Sequence, residues 1–294
     1  FFNTKTSGKL NLSVSGTDLD AYVDTLSPTA PTPFTTYKNK STEANYIANY
    51  TVTSKINAKH LIKIGATYQL IYFNANSRVY RSEYGNYVDQ LNVKSSTAGL
   101  MQGFAHWQFR PADRITLNGG LHYQNFLLNH SSALEPRFGA NFKLTPKQAV
   151  NVGYGMHSQM QPVIYYFYSA YDPLANTYNV SNRNLKLTNS QHAVLSYDYN
   201  FAANFRLKLE SYYQYLYNVP VEKYHSSSFS MINVGNALEG IPLVDSLENK
   251  GRGKNYGAEI TIEKFFSKHY YFLTTLSVYQ SKYKGSDGIE HSTS

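Results

Sequence analysis

The stretch Leu134 to Ser158, LEPRFGANFKLTPKQAVNVGYGMHS, alternates between apolar and polar residues with a period of two. Leu134, Pro136, Phe138, Ala140, Phe142 and Leu144 form one row, and Glu135, Arg137, Gly139, Asn141 and Lys143 the other. A β-strand sends successive side chains to opposite faces, so this pattern predicts a strand with one apolar and one polar face. Thr145-Pro146-Lys147 reads as a tight turn, with proline fixing φ. The alternation then resumes with Val150, Val152, Tyr154 and Met156 against Asn151, Gly153, Gly155 and His157. The pair predicts an antiparallel hairpin with long strands and a minimal turn.

The same motif recurs along the chain. Leu10, Leu12 and Val14 begin it; Gly16, three aspartates and the proline-rich stretch Pro28 to Pro33 predict a loop. Further strands are expected at about Ala44–Thr53, His60–Tyr72, Ala98–Phe109, Ile115–Tyr123, Asn189–Phe201, Asn255–Phe265 and Tyr270–Tyr283. In His60–Tyr72, for example, Ile62, Ile64 and Ala66 oppose Lys63, Gly65 and Thr67. Short turns fall near Asn57, Ala112, Pro146, Ala202 and Ser267. The connections between them, about 73–96, 128–132, 159–187 and 218–254, are longer, and only 128–132 is modest. Short and long connections alternate, as in an outer-membrane barrel with short periplasmic turns and longer extracellular loops. The expectation is that 73–96, 159–187 and 218–254 leave one end together. Ile62, Leu117, Phe138, Val150, Leu195, Leu207 and Leu209 should face lipid, and Lys63, Arg114, Glu135, Arg137, Arg206, Lys208 and Glu210 the lumen.

Composition sharpens this choice. The 294 residues include 28 Tyr, 16 Phe and no Cys, and only 16% are charged. Mean hydropathy is −0.44. No apolar run is long enough for a membrane helix, but a barrel hides its hydrophobicity in alternation. Abundant tyrosine suits aromatic girdles at the two membrane interfaces. A soluble β-sheet would carry its charges on an outer face around an apolar interior, whereas a closed barrel allows a wet, polar inside. Absent cysteine excludes a disulfide scaffold and thiolate metal sites. The net charge of +8 is spread through turns, loops and polar rows without a dense basic run, so no nucleic-acid partner is expected. Attraction to anionic lipid headgroups or to an anionic substrate is the better reading.

Three stretches resemble the C-terminal barrel of TonB-dependent outer-membrane receptors, especially of the Bacteroidetes type: Ile115–Gln159, Asn182–Tyr199 and Asn249–Gly288. Within the second, Asn182, Leu185 and Ser190 match that family's N-x-x-L-x-x-x-x-S pattern ahead of a late strand, with Leu187-Thr188 where Pro-Glu is usual. The resemblance implies an all-β, antiparallel transmembrane β-barrel, of which residues 1–294 supply about eleven or twelve strands out of 22, with the plug domain absent from this chain. It further implies location in the outer membrane of a Gram-negative bacterium and TonB-dependent active transport of a substrate. The implied partners are outer-membrane lipid and lipopolysaccharide, a TonB-type energy-coupling protein acting through the plug region, a surface lipoprotein, and a small-molecule, glycan or peptide substrate. The alternative is a structural or adhesive barrel, or a passive porin. No cofactor is expected.

The search for chemistry finds little that suggests an enzyme. Nine histidines are scattered without paired ligand spacing, although His122, His157 and His192 all fall on polar rows. Asp198 with His192, or Glu210 with Arg206, could serve a barrel hydrolase, but ion pairs lining a lumen are the simpler reading. One loop stands out: Gln159 to Tyr171, QMQPVIYYFYSAY, begins two residues after His157. Its aromatic residues could grip a ligand by stacking and hydroxyl contacts, or could pack as an interface girdle or against other loops. Both ends of one hairpin loop must lie side by side. The expected ligand-binding rim is therefore His157, Gln159, Gln161, Tyr165, Tyr166 and Arg183, where Asn182-Arg183-Asn184 closes the loop. Aromatic faces with amide and guanidinium donors suit a sugar, a peptide or an anionic chelate.

Overall fold

Backbone hydrogen bonding, carried from strand to strand, dominates the computed structural model, which describes residues 2–27, 30–172, 174–234, 244 and 246–293. Twelve strands form one antiparallel sheet in chain order. They are β1 (Thr6–Ser27), β2 (Ala30–Lys55), β3 (His60–Arg81), β4 (Asn86–Ala112), β5 (Ile115–Phe126), β6 (Ser131–Thr145), β7 (Gln148–Gln159), β10 (Thr188–Ala202), β11 (Phe205–Glu222), β12 (Leu247–Ser267), β13 (Tyr270–Lys284) and β14 (Glu290–Ser292). Between β7 and β10 lie a helical turn, α1 (Val163–Phe167), and a small hairpin of β8 (Ala170–Asp172) and β9 (Thr177–Asn179). The sheet is an open arc of wall with β1 and β14 at its ends. No helix among the described residues is long and apolar enough to cross a membrane.

Because neighbours are antiparallel and sequential, successive connections alternate between ends. The turns 56–59, 113–114, 146–147, 203–204 and 268–269 share one end. The connections 82–85, 127–130, 160–187 and 223–246 share the other, as the sequence predicts. Three loop boundaries differ. Residues 73–96 are mostly the arms of the β3–β4 hairpin, around a turn at 82–85. The aspartate- and proline-containing region before Ala44 is the outer part of the β1–β2 hairpin, and Pro28 lies outside the described residues. β11 and β12 run into the expected 218–254 loop from both sides, and 235–243 and 245 lie outside the described residues. The cause is the same in each case. Ladder bonds are made by backbone and continue above the membrane, where both faces are wet and the apolar–polar alternation fades. Pro33 is accommodated where the β1–β2 register shifts, before the β2–β3 ladder starts at Tyr37.

The register settles the faces. Ile64 pairs with Ala105, Leu121 with Ala105 and Pro136, Phe138 with Tyr154, Val152 with Leu195, and Leu209 with Tyr197 and Ile260, so the apolar rows share one side. Lys63, His106, Gly120, Arg137, Gly155 and His192 share the other. Arg114 is the exception among the charges assigned inward: it sits exposed in the β4–β5 turn. On the apolar face of β11, Phe205 and Tyr213 bracket Leu207 and Leu209. Eight residues of tilted strand at ~3.3 Å each span roughly 20 Å, close to the apolar band of a membrane barrel. At the short-turn end Tyr199, Phe201, Phe205 and Phe272 form a chain of rings with centroids 5.5 to 6.3 Å apart, an aromatic belt. Lys264 also points outward but bends to the turn, where its Nζ donates to the carbonyls of Ser267 (2.8 Å) and Tyr270 (2.9 Å).

Candidate functional site

The polar face changes character toward the loop end. Its inward row turns apolar at Ile71, Phe73 and Ala75 on β3, Ala98 and Leu100 on β4, and Phe126 on β5, all buried. This inner apolar patch is the seat of the aromatic loop. After Gln159 the chain leaves the wall, and Pro162 opens α1 with its carbonyl accepting from Tyr165 N at 3.0 Å. Val163, Tyr165, Tyr166 and Phe167 then fold against the patch in one cluster with Leu185 and Leu187. Phe167 stacks on Phe73 with centroids 5.8 Å apart, and Tyr166 meets Phe126 at 4.9 Å.

The sequence-predicted rim residues therefore separate into two groups. Tyr165 and Tyr166 are 1% and 0% exposed, and burial pushes both phenols up to about 12, so they remain protonated. Gln161 is buried too. Its backbone N–H donates to the Tyr166 hydroxyl (3.1 Å) and its side-chain amide to Thr188 Oγ1 (2.8 Å), joining the two legs of the loop. His157, Gln159 and Arg183 are exposed. Gln159 pairs with Thr188, so the legs do run side by side. Arg183 turns toward the loop core, with its guanidinium 5.9 Å from the Phe167 ring. In this arrangement the two tyrosines pack the loop from within, and the hydrogen-bonding surface is presented by His157, Gln159 and Arg183.

The loop is tied down by Asn182, which the sequence pattern marked, and by Asn129, Asn249 and Ser169, whose part in it the pattern did not show. Asn182 is 0% exposed; its amide donates to Val244 O (2.7 Å) and its Oδ1 accepts from Leu247 N (2.9 Å). Asn129, from the β5–β6 connection, donates to Leu185 O at 2.6 Å. Lys186 N donates to Asn249 Oδ1 at 2.8 Å. Ser169 N and its hydroxyl both donate to Gln90 O at 3.1 Å. The signal available in the sequence was the N-x-x-L pattern, whose Asn182 and Leu185 are both buried anchors.

Below the loop, β7 ceases to pair with β6 after Gly155, and Glu135 fills the junction. Its carboxylate is 2% exposed and accepts from Ser158 N (2.9 Å), Ser158 Oγ (2.5 Å), Gln124 Nε2 (2.8 Å) and Arg137 Nη2 (2.6 Å), with His122 Nδ1 at 3.0 Å. Five contacts from four residues compensate a buried charge that would otherwise be untenable. The imidazole of His157 lies back over Gly155, where an added Cβ would stand 2.9 Å from its Nε2. His122, Arg137, His157 and His192 therefore occupy one region of the polar face. No group of three His, Asp or Glu among the described residues is arranged to hold a metal ion. Asp198 is engaged by Arg206 Nε (2.9 Å) and by Asn151 (2.9 Å), and lies six residues along the strand from His192, roughly 20 Å away, too far to act with it. Glu210 pairs with Lys208 at 2.6 Å.

Solved structures share this architecture. The ferripyoverdine receptor of the outer membrane of Pseudomonas aeruginosa superimposes with a TM-score of 0.65 at 13% identity, covering 97% of this chain and 39% of its own. The RagAB peptide importer gives 0.60 at 11% identity, covering 96% and 35%. The FrpB iron transporter from Neisseria meningitidis gives 0.59 at 15% identity, covering 86% and 38%. The chain thus spans about two-fifths of the length of these proteins, and the likeness is one of fold. No curated protein matches by sequence. The family described as TonB dependent receptor-like, beta-barrel, matches residues 2–291. An antiparallel wall with an apolar outer face, a polar inner face and long connections gathered at one end agrees with that match, and the chain belongs to this family of Gram-negative outer-membrane transport receptors.

Proposed function

We propose that this chain is the barrel portion of an active transporter, in which a plug region closes the lumen and a TonB-type energy-coupling protein acts through that plug. The observation that carries the reading is the inward-folded loop: α1 and its flanks pack on the inner face of the wall at the long-loop end. A purely structural barrel has no need of polar side chains presented on such a loop, and dependence of uptake on energy coupling separates active transport from a passive pore. Substrate is captured at the rim, where His157, Gln159 and Arg183 offer hydrogen-bond donors and Gln161, Tyr165 and Tyr166 hold the surface rigid from beneath. A sugar, a peptide or an anionic chelate fits these donors. A surface lipoprotein over the loops is the further partner the resemblance implies, and lipid with lipopolysaccharide surrounds the wall. The role is transport, not catalysis.

The test is uptake by cells carrying the full-length protein, offered ferric chelate, oligopeptide and oligosaccharide probes, with and without the energy-coupling protein. Uptake of one class that stops when coupling is removed is the expected result. Arg183→Ala and Gln159→Ala should each weaken it by about tenfold, the scale of one charge-assisted or well-placed hydrogen bond, while folded barrel persists in the membrane. Uptake that continues unchanged without coupling would establish a passive pore instead.

A further inference from the structure

Side chains on the outer face of the wall meet lipid whatever fills the lumen, so the plug region leaves them uncovered. On β11–β13 that face changes in three steps toward the long-loop end. Just beyond the midplane, Ser211 and Ala258 pair directly. These two small residues lie among Leu195, Leu209, Ile260 and Val278, and the wall sinks there into an apolar furrow of about 470 Å³. Glu210 and Glu259 also border the furrow, but their carboxylates turn to the lumen side, to Lys208 (2.6 Å) and Ser277 (3.1 Å). Next come Tyr213 and Tyr256, paired in register and stacked with centroids 6.4 Å apart, and the Tyr256 hydroxyl donates to Gln280 on β13. These rings are the outer counterpart of the aromatic belt at the short-turn end.

Beyond the rings the face turns cationic. Lys254 pairs with Lys282, and Arg252 with Lys284. The two pairs stand ~7 Å and ~13 Å of strand beyond Tyr256, the height of lipid headgroups. Glu290 bridges Lys254 (2.7 Å) and Lys282 (2.8 Å). Arg252 and Lys284 remain exposed, with no ion-pair partner among the described residues. Glu248, further out, is taken by Lys250 at 2.9 Å. Four cations against one bridging carboxylate attract lipid phosphate. The outward cations of β2 and β3 are matched instead: Lys40 lies opposite Asp20, and Arg78 pairs with Asp89 at 2.7 Å.

We infer that the outer face of β11–β13 is a binding site for one phosphorylated glycolipid of the outer leaflet, the lipid A part of lipopolysaccharide. Its phosphate is held by Arg252 and Lys284, with Lys254 and Lys282 beside it, and one acyl chain lies in the furrow over Ser211 and Ala258. The furrow alone would take any lipid. Furrow and cations, stacked along the membrane normal, select a lipid that carries extra negative charge above its chains. The inference deepens the reading that lipopolysaccharide surrounds the wall, and it rests on the outer-membrane location, not on transport. The test titrates the purified full-length protein in detergent with diphosphoryl lipid A and with zwitterionic phosphatidylethanolamine, and counts retained lipid by native mass spectrometry. One lipid A per protein should be retained at concentrations where phosphatidylethanolamine is lost. Arg252→Gln and Lys284→Gln should each weaken retention by about tenfold, the effect of losing one charged contact. Ala258→Phe, which fills the furrow and alters no charge, should weaken it as well. Lys208→Gln, which removes the same charge from the lumen side of β11, should leave it unchanged. Equal retention of the two lipids by the wild type, equal retention in Arg252→Gln and Lys208→Gln, or an unchanged Ala258→Phe would overturn the site. Coupled uptake is measured separately in cells, so either reading can fail without the other.

Discussion

Depth in the membrane gives the outward residues of β11 different weights. Leu209 sits midway between the rings of Phe205 and Tyr213, whereas Leu207 lies opposite Tyr199, in the aromatic belt at the short-turn end. A charge on the lipid face costs most at the midplane and little at the interface. Leu209→Arg should destabilise the folded barrel by about 2–4 kcal/mol, and Leu207→Arg by less, measured by reversible denaturant titration in lipid vesicles. Equal costs at both positions would mean that the aromatic rows do not mark the interfaces. Lys264 shows how the wall tolerates an outward lysine: the ammonium reaches the turn carbonyls and lies 3.7 Å from the centre of the Tyr270 ring.

Among the elements, the 160–187 loop depends on its two hinges as much as on its aromatic core. Glu135 holds the point where β7 leaves β6, and removing one partner from a buried, hydrogen-bonded charge cluster costs about 3–5 kcal/mol. Glu135→Gln should therefore release the base of the loop. Limited proteolysis of intact cells should then cut within 160–187 far faster than in the wild type, with the β-barrel fold retained. At the far edge of the sheet, β14 is held to β13 by a weaker attachment. Glu290 bridges Lys254 (2.7 Å) and Lys282 (2.8 Å), and these cations hold its carboxyl at about 2, below the ordinary 4.5. A depressed folded-state value means that the contribution is complete above about pH 4.5 and is lost as pH falls toward 2. The protection factor of the Thr293 amide, which donates to Ser281 O, should fall across that window in the wild type and stay level in Glu290→Gln. High salt should shrink the difference, because the bridge is exposed.

The whole molecule is a wall with two unlike ends. One bears tight turns, including the β12–β13 turn in which Lys268 and His269 both adopt positive φ (51° and 72°), the geometry that matches strand twist. The other gathers the long connections into a single network through Asn129, Asn182 and Asn249. Single cysteines placed at Tyr84, Leu174 or Tyr224 should react with a membrane-impermeant thiol reagent on intact cells. Cysteines at Asn57, Lys147 or Lys268 should react only after the outer membrane is opened. Labelling at Lys147 from outside would reverse the topology.

What the sequence alone determined was the two-faced strand, and with it the architecture. Alternation with period two survives wherever one face meets lipid, so Leu134–Leu144, Val150–Met156 and Ile62–Tyr72 were legible, as were the tight turns and the shared end of the long connections. The outer strand segments were not legible, because above the membrane the ladder is carried by backbone groups common to every residue. The rim was legible in part. The juxtaposition of loop legs follows from hairpin geometry, and Gln159 opposite Thr188 bears it out. Which way Tyr165 and Tyr166 point could not be read from their own neighbourhood in the chain. That was decided by Ile71, Phe73, Leu100 and Phe126, inward residues on three other strands, whose apolar surface draws the loop onto the wall because burying it releases water. Only the tertiary structure brings those strands beneath the loop, and only it gathers Glu135 with Ser158, Gln124, His122 and Arg137, since a buried carboxylate finds its donors across strands and not along one.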